Sequence, residues 1–334
     1  MKISRHYLLQ TDNNYLKHML VTILSIRKHA PEDENSIFYI VDDRISEENK
    51  EFIRNFAKKY ECEMIFLDGS AMSALLEEKQ VPKWRGGYTT YLKILALNQI
   101  EGVERILYLD SDVIIQNDIS DVFAELDGVD SALAMAEDMT ISFNAAYKRY
   151  ALGEGGEKRV YYNAGAILFD IPRWRDGGYE EKVLHFIQTN TRKLMYCEQD
   201  ILNILFGESI KTISNRYNYC TPILYFKPKM MGKLFGWNAE KTKEYADMAK
   251  DYGVGHCFAV FQKRPWHANS RHPLTEEYRA LYEELFEERF VGLPVKLTLT
   301  DRAQILLYDL FRPLYAVLHR HFTKKLYQDF FKNA

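Results

Sequence analysis

Short apolar runs alternate with amphipathic segments along the N-terminal part of the chain. Runs rich in β-branched and aromatic residues predict strands at residues 6–10, 36–41, 63–67 and 105–109. Between them, apolar positions recur every three to four residues, which predicts helices at residues 13–29, 46–60 and 89–99. Strands that alternate with helices in this way predict an α/β fold whose central sheet is mostly parallel and covered on both faces.

The second predicted helix has a clear start signal. Ser46 lies where an N-cap belongs, and Glu47 and Glu48 fall in the first turn, where acidic side chains favour the helix dipole. Ligands of open parallel sheets bind at the carboxyl ends of the strands. The residues that directly follow each predicted strand are therefore the first candidates for a functional site.

The pattern is less regular beyond residue 112. Further strands are predicted at residues 131–136 and 164–170, a short helix at residues 199–206, and a charged, glycine-rich loop at residues 153–158. The sequence contains no internal repeat and no low-complexity segment. Nothing in this part of the chain changes the α/β prediction.

The composition changes near residue 295. Seven basic and three acidic residues follow, a formal charge of +4, and Leu, Tyr and Phe are interleaved with them. This composition is typical of an amphipathic helix at a membrane surface, but a helix that packs on the main domain with a basic outer face explains it equally well. We predict one catalytic domain over residues 1–275 and a helical, basic and aromatic region over residues 276–334.

Composition and charge exclude several classes of protein. The 334 residues are 47% hydrophobic and 27% charged with a net charge of -3, which gives no reason to expect nucleic acid as a partner. The four cysteines show no zinc-site spacing, so we interpret them as reduced thiols. The N-terminus lacks the pattern of a signal peptide, and no apolar run reaches the ~18 residues of a spanning helix. We expect a cytoplasmic protein, with peripheral association at the inner face of the membrane as an option.

Two aspartates follow the predicted strand at residues 105–109. Asp110 and Asp112 are two positions apart, so in extended chain their carboxylates point to the same side and can face one cation. Hard oxygen ligands suit Mg²⁺ or Mn²⁺, and such a cation could neutralise the charge of a departing nucleotide. A pair of solvated turn aspartates is the alternative.

The same D-x-D pattern also fits phosphatases of the haloacid dehalogenase type, in which the first Asp is a nucleophile. In those proteins the motif opens the domain and a second acidic motif follows downstream. In this sequence a long α/β segment precedes Asp110, and no later motif of the form G-D-x-x-x-D is present. The phosphatase is therefore the less favoured alternative.

Further segments, in their order and spacing, resemble glycosyltransferase family 8, the retaining galactosyl- and glucosyltransferases of bacterial lipopolysaccharide and related glycans. The resemblance covers residues 5–275. The segments are D-N-N-Y at 12–15, Y-N-A-G at 162–165, E-Q-D-I-L-N at 198–203, the histidine at 256, and K-R-P-W at 263–266. It implies a GT-A fold, a single α/β domain that binds a UDP-sugar and Mn²⁺, with Mg²⁺ as a substitute, at the ends of its strands.

The resemblance also implies a role for individual residues. It places the nucleotide on Asp12, Asn14, Tyr15 and Ser111, and the metal on Asp110, Asp112 and His256. It places the donor sugar and the acceptor beside Asp138, Asn163, Glu198 and Gln199. For Asn163 and Gln199, a polar side chain that only caps backbone groups is the alternative. A cation near the β-phosphate of UDP should lower the barrier to its departure, and Lys263 and Arg264 are the candidates.

The sequence departs from the family pattern at three points. The stretch from His256 to Pro265 is two residues longer and lacks a glycine, and Arg264 stands directly before Pro265 where a lysine is usual. Lys93 stands where an arginine is expected, which keeps the charge but not the bidentate geometry. Glu198 replaces an aspartate, which lengthens a side chain expected to touch the donor sugar.

We therefore expect a retaining hexosyltransferase that transfers glucose or galactose from a UDP-sugar to a glycan or glycolipid acceptor. Same-face attack, with Gln199 stabilising an oxocarbenium-like state, is favoured over double displacement, because no carboxylate in the sequence must be the nucleophile. A catalytically silent protein that binds a UDP-sugar is the second alternative, suggested by the altered C-terminal motif.

Overall fold

The computed structural model describes residues 2–83 and 87–332. This part of the chain contains ten strands. The strands are β1 Ile3–Thr11, β2 Glu34–Asp42, β3 Glu63–Asp68, β4 Arg105–Leu109, β5 Val113–Ile115, β6 Leu133–Glu137, β7 Tyr162–Asp170, β8 Lys211–Ile213, β9 Tyr219–Cys220 and β10 Val254–His256.

The described α-helices are α1 Leu16–His29, α2 Glu47–Lys59, α3 Gly69–Glu78, α4 Thr89–Leu95, α5 Ala145–Leu152, α6 Ile171–Asp176, α7 Tyr179–Thr189, α8 Glu198–Phe206, α9 Pro222–Phe226, α10 Pro228–Phe235, α11 Ala239–Met248, α12 Thr275–Phe286, α13 Leu299–Leu310 and α14 Arg312–Lys332. Short 3₁₀ turns occur at Ala96–Gln99, Ser120–Ala124, Ile141–Phe143, Gly156–Lys158 and Asn215–Tyr217.

Seven strands form the central sheet in the order β3-β2-β1-β4-β7-β6-β8. Strand β7 is antiparallel to both of its neighbours, β4 and β6, and the other pairs are parallel. A second sheet has the order β5-β10-β9. Its strand β5 is the next strand after β4 along the chain. The prediction of a mostly parallel sheet is confirmed.

Both faces of the central sheet are buried. Tyr7 and Leu9 of β1 belong to one apolar cluster and Leu8 to the other, as the alternation of side chains along a strand requires. Helices α1, α2 and α12 supply the first cluster, and α4, α6, α7 and α8 supply the second. Every residue of β7 is buried, which matches its nearly continuous apolar sequence.

Local signals place most of the predicted elements correctly. The Ser46 side chain accepts the Asn49 N–H at 3.3 Å, so it caps α2 as predicted. The first helix begins at Leu16 rather than at residue 13, because Asp12 accepts the N–H groups of Asn14 and Tyr15 in a turn. The helix predicted at residues 89–99 ends as the 3₁₀ turn Ala96–Gln99, and α3 was not predicted.

The last two helices of the chain, α13 and α14, pack on the domain. Tyr308 of α13 and Tyr315 and Tyr327 of α14 are buried, whereas Leu314 and Phe322 are about half exposed. The main core also includes Tyr278 and other residues of α12, beyond the predicted boundary at residue 275. Across the residues the structure describes, no helix combines the length and apolarity that crossing a membrane demands.

Helix α1 fixes strand β5 through two buried hydroxyls. The Thr22 hydroxyl donates to the Val113 carbonyl at 2.7 Å, and the Ser25 hydroxyl accepts the Ile115 N–H at 2.9 Å. Both hydroxyls lie in the interior, where an unpaired backbone group would cost free energy. The register of β5, and with it the position of Asp112, therefore depends on α1.

We predict that Thr22→Val lowers the free energy of unfolding by about 1–3 kcal/mol, because it removes the donor to a buried carbonyl and keeps the shape of the side chain. Denaturant unfolding followed by circular dichroism measures the change. Thr22→Ser keeps the hydroxyl and is the matched control. Equal midpoints for the wild type and Thr22→Val would contradict this role for Thr22.

Candidate active site

The two aspartates of the D-x-D motif lie between the two sheets. Asp110 follows β4 directly, and its N–H donates to the Gly165 carbonyl of β7 at 2.9 Å. Asp112 precedes β5, and its carbonyl accepts the Cys257 N–H at 2.9 Å. Backbone bonds to two distant segments thus hold this short connection at the carboxyl end of the central sheet.

His256 completes a group of three potential metal ligands. Strand β10 pairs with β5 in an antiparallel register that sets His256 opposite Val113. The Nε2 atom of His256 lies 3.7 Å from an oxygen of Asp110 and 3.5 Å from an oxygen of Asp112. One ligand atom from each residue falls within 4.8 Å of the other two.

The second nitrogen of His256 is engaged by a neighbour that the sequence did not indicate. Nδ1 lies 2.8 Å from the side-chain oxygen of Asn218, which can only accept a hydrogen bond, so Nδ1 carries the proton and Nε2 faces the carboxylates as a free ligand. Burial lowers the pKa of His256, which keeps the ring neutral as a metal ligand must be. Two oxygen donors and one imidazole nitrogen fit a divalent cation.

Gly165 makes room for the His256 ring. A Cβ atom at position 165 would lie 2.1 Å from Cε1 and 2.6 Å from Nδ1 of His256. The requirement here is steric, because no side chain fits between β7 and the imidazole. Gly165 is the last residue of the Y-N-A-G segment, so the space needed by the His256 ring explains the glycine in that segment.

A buried lysine lies between two carboxylates of the site. Lys93 is 1% exposed, and its ammonium lies 3.5 Å from Asp110 and 3.1 Å from Glu198. Burial by itself would raise the pKa of Asp110, but the charge of Lys93 and the hydrogen bond from the Tyr108 hydroxyl lower that pKa. Asp110 is therefore ionised at neutral pH. Glu198 also accepts a hydrogen bond from the Thr90 hydroxyl.

The side chains of Arg264 and Lys263 contact different parts of the molecule. The Arg264 guanidinium pairs with Asp112, whereas the Lys263 ammonium donates to the carbonyls of Ala268 at 2.8 Å and Asn269 at 3.3 Å. Of the two candidates for the phosphate, the structure brings Arg264 to the potential metal ligands. Lys263 instead holds the loop that follows.

The stretch between His256 and Pro265 contains a tight turn. Val260 and Lys263 exchange backbone hydrogen bonds of 2.8 and 3.0 Å, and the intervening Phe261 and Gln262 have φ values of 48° and 63°. Positive φ at both central positions is what a two-residue turn of the I′ type requires. The longer stretch is therefore absorbed locally, and the chain on either side still brings His256 and Arg264 together at Asp112.

The residues expected to bind the nucleotide lie at the end of β1. Asp12 accepts the backbone N–H groups of Asn14 at 2.9 Å and Tyr15 at 2.8 Å, so it shapes this turn. Tyr15 is partly exposed and lies edge-on to Trp266 of the K-R-P-W segment, with ring centroids 6.0 Å apart. The Ser111 hydroxyl donates to the Gln10 carbonyl at 2.5 Å and ties the D-x-D segment to β1.

Asp138, Asn163 and Gln199 meet in the interior beside the potential metal site. The amide groups of Asn163 and Gln199 donate to one oxygen of Asp138 at 3.0 and 3.3 Å. Their side-chain oxygens accept the backbone N–H groups of Gly165 at 2.9 Å and Ala164 at 3.0 Å. The capping role considered for both amides is therefore present, together with a shared contact to Asp138.

Sequence reasoning missed a buried carboxylate next to this group. Asp200 is fully buried, and it accepts the hydroxyls of Tyr147 at 2.7 Å and Tyr161 at 2.5 Å and the N–H groups of Met195 and Tyr196. Burial raises the pKa of Asp200, although these donors partly oppose the rise. The sequence signal for Asp200 was its position directly after Glu198 and Gln199. Asp200 shapes the loop that presents Glu198 and Gln199.

The described residues therefore combine a GT-A type α/β fold with an Asp-Asp-His group at the carboxyl end of its central sheet. The model of glycosyl transferase family 8 matches residues 6–270, and the chain belongs to this family. The resemblance in the sequence motifs is thereby confirmed.

Curated relatives share between a fifth and a third of the aligned residues. A candidate glycosyltransferase of Haemophilus influenzae is 29% identical over 210 residues, which are 63% of this chain and 61% of that protein. General stress protein A of Bacillus subtilis is 25% identical over 82% of this chain and 91% of its own. The lipopolysaccharide 1,2-glucosyltransferase of Escherichia coli is 22% identical over 81% of this chain and 76% of its own. The chain thus spans less than two thirds of the Haemophilus relative.

Solved structures share the fold. The galactosyltransferase LgtC in complex with donor and acceptor sugar analogues matches with a TM-score of 0.67 at 20% identity, over 89% of this chain and 99% of that one. An active-site mutant of LgtC matches with a TM-score of 0.70 at 21% identity, over 84% and 95% of the two chains. The α/β fold of the GT-A type is confirmed.

We predict that Gly165→Ala weakens binding of Mn²⁺ about tenfold or more, because the new methyl group displaces the His256 ring. Titration calorimetry of Mn²⁺ in the presence of UDP measures the affinity. Gly87→Ala is the control, since its Cβ meets nothing nearer than 3.8 Å. A Gly165→Ala protein that keeps the wild-type melting temperature and Mn²⁺ affinity would show that His256 is not a ligand.

Proposed function

We propose that this protein is a retaining hexosyltransferase that transfers glucose or galactose from a UDP-sugar to a glycan acceptor and depends on Mn²⁺. The observation that supports this proposal most is the convergence of Asp110, Asp112 and His256 with Arg264 at one sheet edge. An anion with two phosphates is the kind of ligand for which such a combination of metal ligands and a cation is suited.

Asp110, Asp112 and His256 would hold the metal ion. An imidazole in the ligand set favours Mn²⁺ over Mg²⁺, which prefers oxygen ligands and retained water. When bound, the ion supplies Lewis-acid neutralisation of the diphosphate charge. Asn218 keeps the Nε2 atom of His256 free for this role through its hydrogen bond to Nδ1.

Arg264 would stabilise the departing UDP. It contacts Asp112 at the edge of the metal-ligand group, and its guanidinium can offer two parallel hydrogen bonds to a phosphate. Lys263 is the weaker candidate because its ammonium already bonds to two loop carbonyls. The uridine would lie against the turn of Asp12 to Tyr15 beside Trp266.

The side chains near the reacting sugar favour same-face attack. Asp138 receives hydrogen bonds on both oxygens, from Thr140 and Ile141 on one and from Asn163 and Gln199 on the other. Glu198 is engaged by Lys93 and Thr90. Carboxylates held in this way are weak nucleophiles, so a covalent intermediate is disfavoured, and Gln199 would stabilise positive charge on the donor sugar.

Relatives support a cell-surface glycan as the acceptor. Curated relatives include a lipopolysaccharide 1,2-glucosyltransferase and the lipopolysaccharide glucosyltransferase WaaO of Escherichia coli, and a lipopolysaccharide 1,3-galactosyltransferase of Salmonella typhimurium. These names cover both hexoses of the proposal. Measuring UDP release from a panel of UDP-sugars identifies the hexose that this chain transfers.

We predict that the protein releases UDP from one donor of a panel of UDP-sugars, that a chelator stops the release, and that Asp112→Ala reduces it at least about a hundredfold, because the variant loses a metal ligand. A coupled UDP assay measures the rates. Asp118→Ala, at an exposed turn before Ser120–Ala124, is the control and should leave the rate unchanged.

Three results would contradict the proposal. Phosphomonoester hydrolysis that Asp110→Asn abolishes would indicate the phosphatase. Metal-dependent UDP binding without turnover on any glycan would indicate the silent binder. A product with inverted anomeric configuration by NMR would leave a transferase but exclude same-face attack.

We also propose that the C-terminal helices attach the protein to the membrane surface. Leu314, Val317 and Phe322 of α14 are between 49% and 64% exposed, and basic residues such as Arg320 lie among them. Apolar side chains at an exposed helix surface with interleaved cations are typical of interfacial binding to anionic lipid.

We predict that the triple variant Leu314→Gln, Val317→Gln, Phe322→Gln binds vesicles of phosphatidylglycerol about tenfold or more weakly, because it removes apolar area that would enter the interface. Vesicle sedimentation measures the binding. Deleting residues 295–334 would expose the buried tyrosines of α13 and α14, so point variants are preferable. The control variant carries Ile3→Gln, Val160→Gln and Val291→Gln, at exposed apolar positions elsewhere. Equal binding by both variants would exclude the attachment.

A further inference from the structure

Two neighbouring cavities lie between the catalytic domain and the C-terminal helices. The first has a volume of about 400 Å³ and is lined by Thr140 and Arg264 of the candidate site and by His319 of α14. Thr140 donates to Asp138 at 2.9 Å, so this cavity borders the group expected to surround the donor sugar. The second cavity, of about 450 Å³, shares the side chain of Phe226 with the first.

Four cations line the second cavity. This basic cluster consists of Lys227, Lys229, Lys233 and Arg312. All four side chains are exposed, and within residues 2–83 and 87–332 none of them forms an ion pair with a carboxylate. Asp309, the acidic neighbour of Arg312, is instead bound by Arg271 at 2.8 Å.

The floor of the second cavity is aromatic. Tyr225 and Phe226 pack against Tyr308, with ring centroids 5.5 and 5.3 Å apart, and Arg312 lies over the Tyr308 ring at 5.2 Å. Aromatic faces pack well against the apolar faces of sugar rings, and lysines around them supply hydrogen-bond donors with positive charge. The combination is suited to a sugar that carries an anionic group rather than to a bare anion.

Acidic side chains are absent from the lining of both cavities among the described residues. Four like charges around one cavity repel each other unless an anion neutralises them. The proposed donor diphosphate site consists of Asp110, Asp112, His256 and Arg264, and the basic cluster lines a different cavity from Arg264.

We infer that the acceptor is a phosphate-bearing glycan whose phosphate binds the basic cluster, while its reacting hydroxyl lies in the first cavity beside Arg264. The inference rests on the proposed transferase function, since it assigns an acceptor to that site. A phosphate on the glycan is preferred to a lipid headgroup as the source, because aromatic rings suited to a sugar form the floor of the second cavity, and Phe226 of that floor also lines the first cavity beside the candidate active site.

The experiment compares a phosphorylated sugar with its neutral counterpart. Maltose 1-phosphate and maltose are titrated by calorimetry into the full chain saturated with UDP and Mg²⁺, so that the donor site is filled. The wild type should bind maltose 1-phosphate at least about tenfold more tightly than maltose. The variant Lys227→Gln, Lys229→Gln, Lys233→Gln should lose this difference, and added salt should reduce it in the wild type.

A matched variant removes the same charge elsewhere. Lys58→Gln, Lys158→Gln and Lys182→Gln change three exposed lysines outside both cavities and should leave the difference between the two probes intact. Melting temperatures show whether each variant is folded. The test therefore separates a local effect of the basic cluster from a loss of net charge.

Two outcomes overturn the inference. The first is equal binding of the two probes by the wild type. The second is a difference that persists in the Lys227, Lys229 and Lys233 variant, and if this variant also no longer binds phosphatidylglycerol vesicles, the cluster is assigned to lipid headgroups. Failure of the transferase proposal is distinguishable, because it appears as absent UDP release from the donor panel, whereas this titration measures only the binding of the two probes.

Discussion

The antiparallel pairing of β5 with β10 is the interaction on which the candidate active site depends. It sets His256 opposite Val113, the residue that directly follows Asp112, although β5 and β10 are far apart in the chain. Helix α1 holds β5 from the other side through Thr22 and Ser25. Because the ligand atoms of His256 and the two aspartates must lie within a few ångströms of one another, a shift of one residue in this pairing would turn His256 away from them.

A second constraint is the balance of charge in a site with little solvent. Lys93 is buried and touches both Asp110 and Glu198, and Arg264 touches Asp112, so each of these carboxylates has a cation beside it. A buried charge is costly unless it is paired, and His256 adds none because burial keeps it neutral. The departure from arginine to lysine at position 93 is compatible with this arrangement, since one ammonium contacts two separate carboxylates rather than one in a bidentate manner.

Much of the fold could be predicted from local sequence signals, and the site only in part. The Ser46 cap, the strand at residues 105–109 and the same-side placement of Asp110 and Asp112 depend on neighbouring residues, which the sequence displays directly. The role of Asn218 beside His256 depends on the pairing of distant strands, and no residue spacing in the sequence predicts this contact.

The choice between Arg264 and Lys263 is a second case of this kind. The Arg264 guanidinium contacts Asp112 and the Lys263 ammonium contacts loop carbonyls, and both residues follow a turn with positive φ at Phe261 and Gln262, which are neither glycine nor asparagine. The longer stretch before Pro265 suggested an altered motif, whereas the structure brings His256 and Arg264 together at Asp112.

The C-terminal helices α13 and α14 pack on the domain, which is one of the two interpretations that the sequence left open, and they also have an exposed outer face. On the inner face, the Tyr327 hydroxyl lies 3.0 Å from that of Tyr196, and Tyr196 also donates its N–H to Asp200 in the loop that presents Glu198 and Gln199. On the outer face, large apolar side chains such as Phe322 remain exposed. Helix α14 is thus connected, through packed tyrosines, to the loop that presents Glu198 and Gln199. The C-terminal region is for this reason better regarded as part of the candidate active site than as an attached tail.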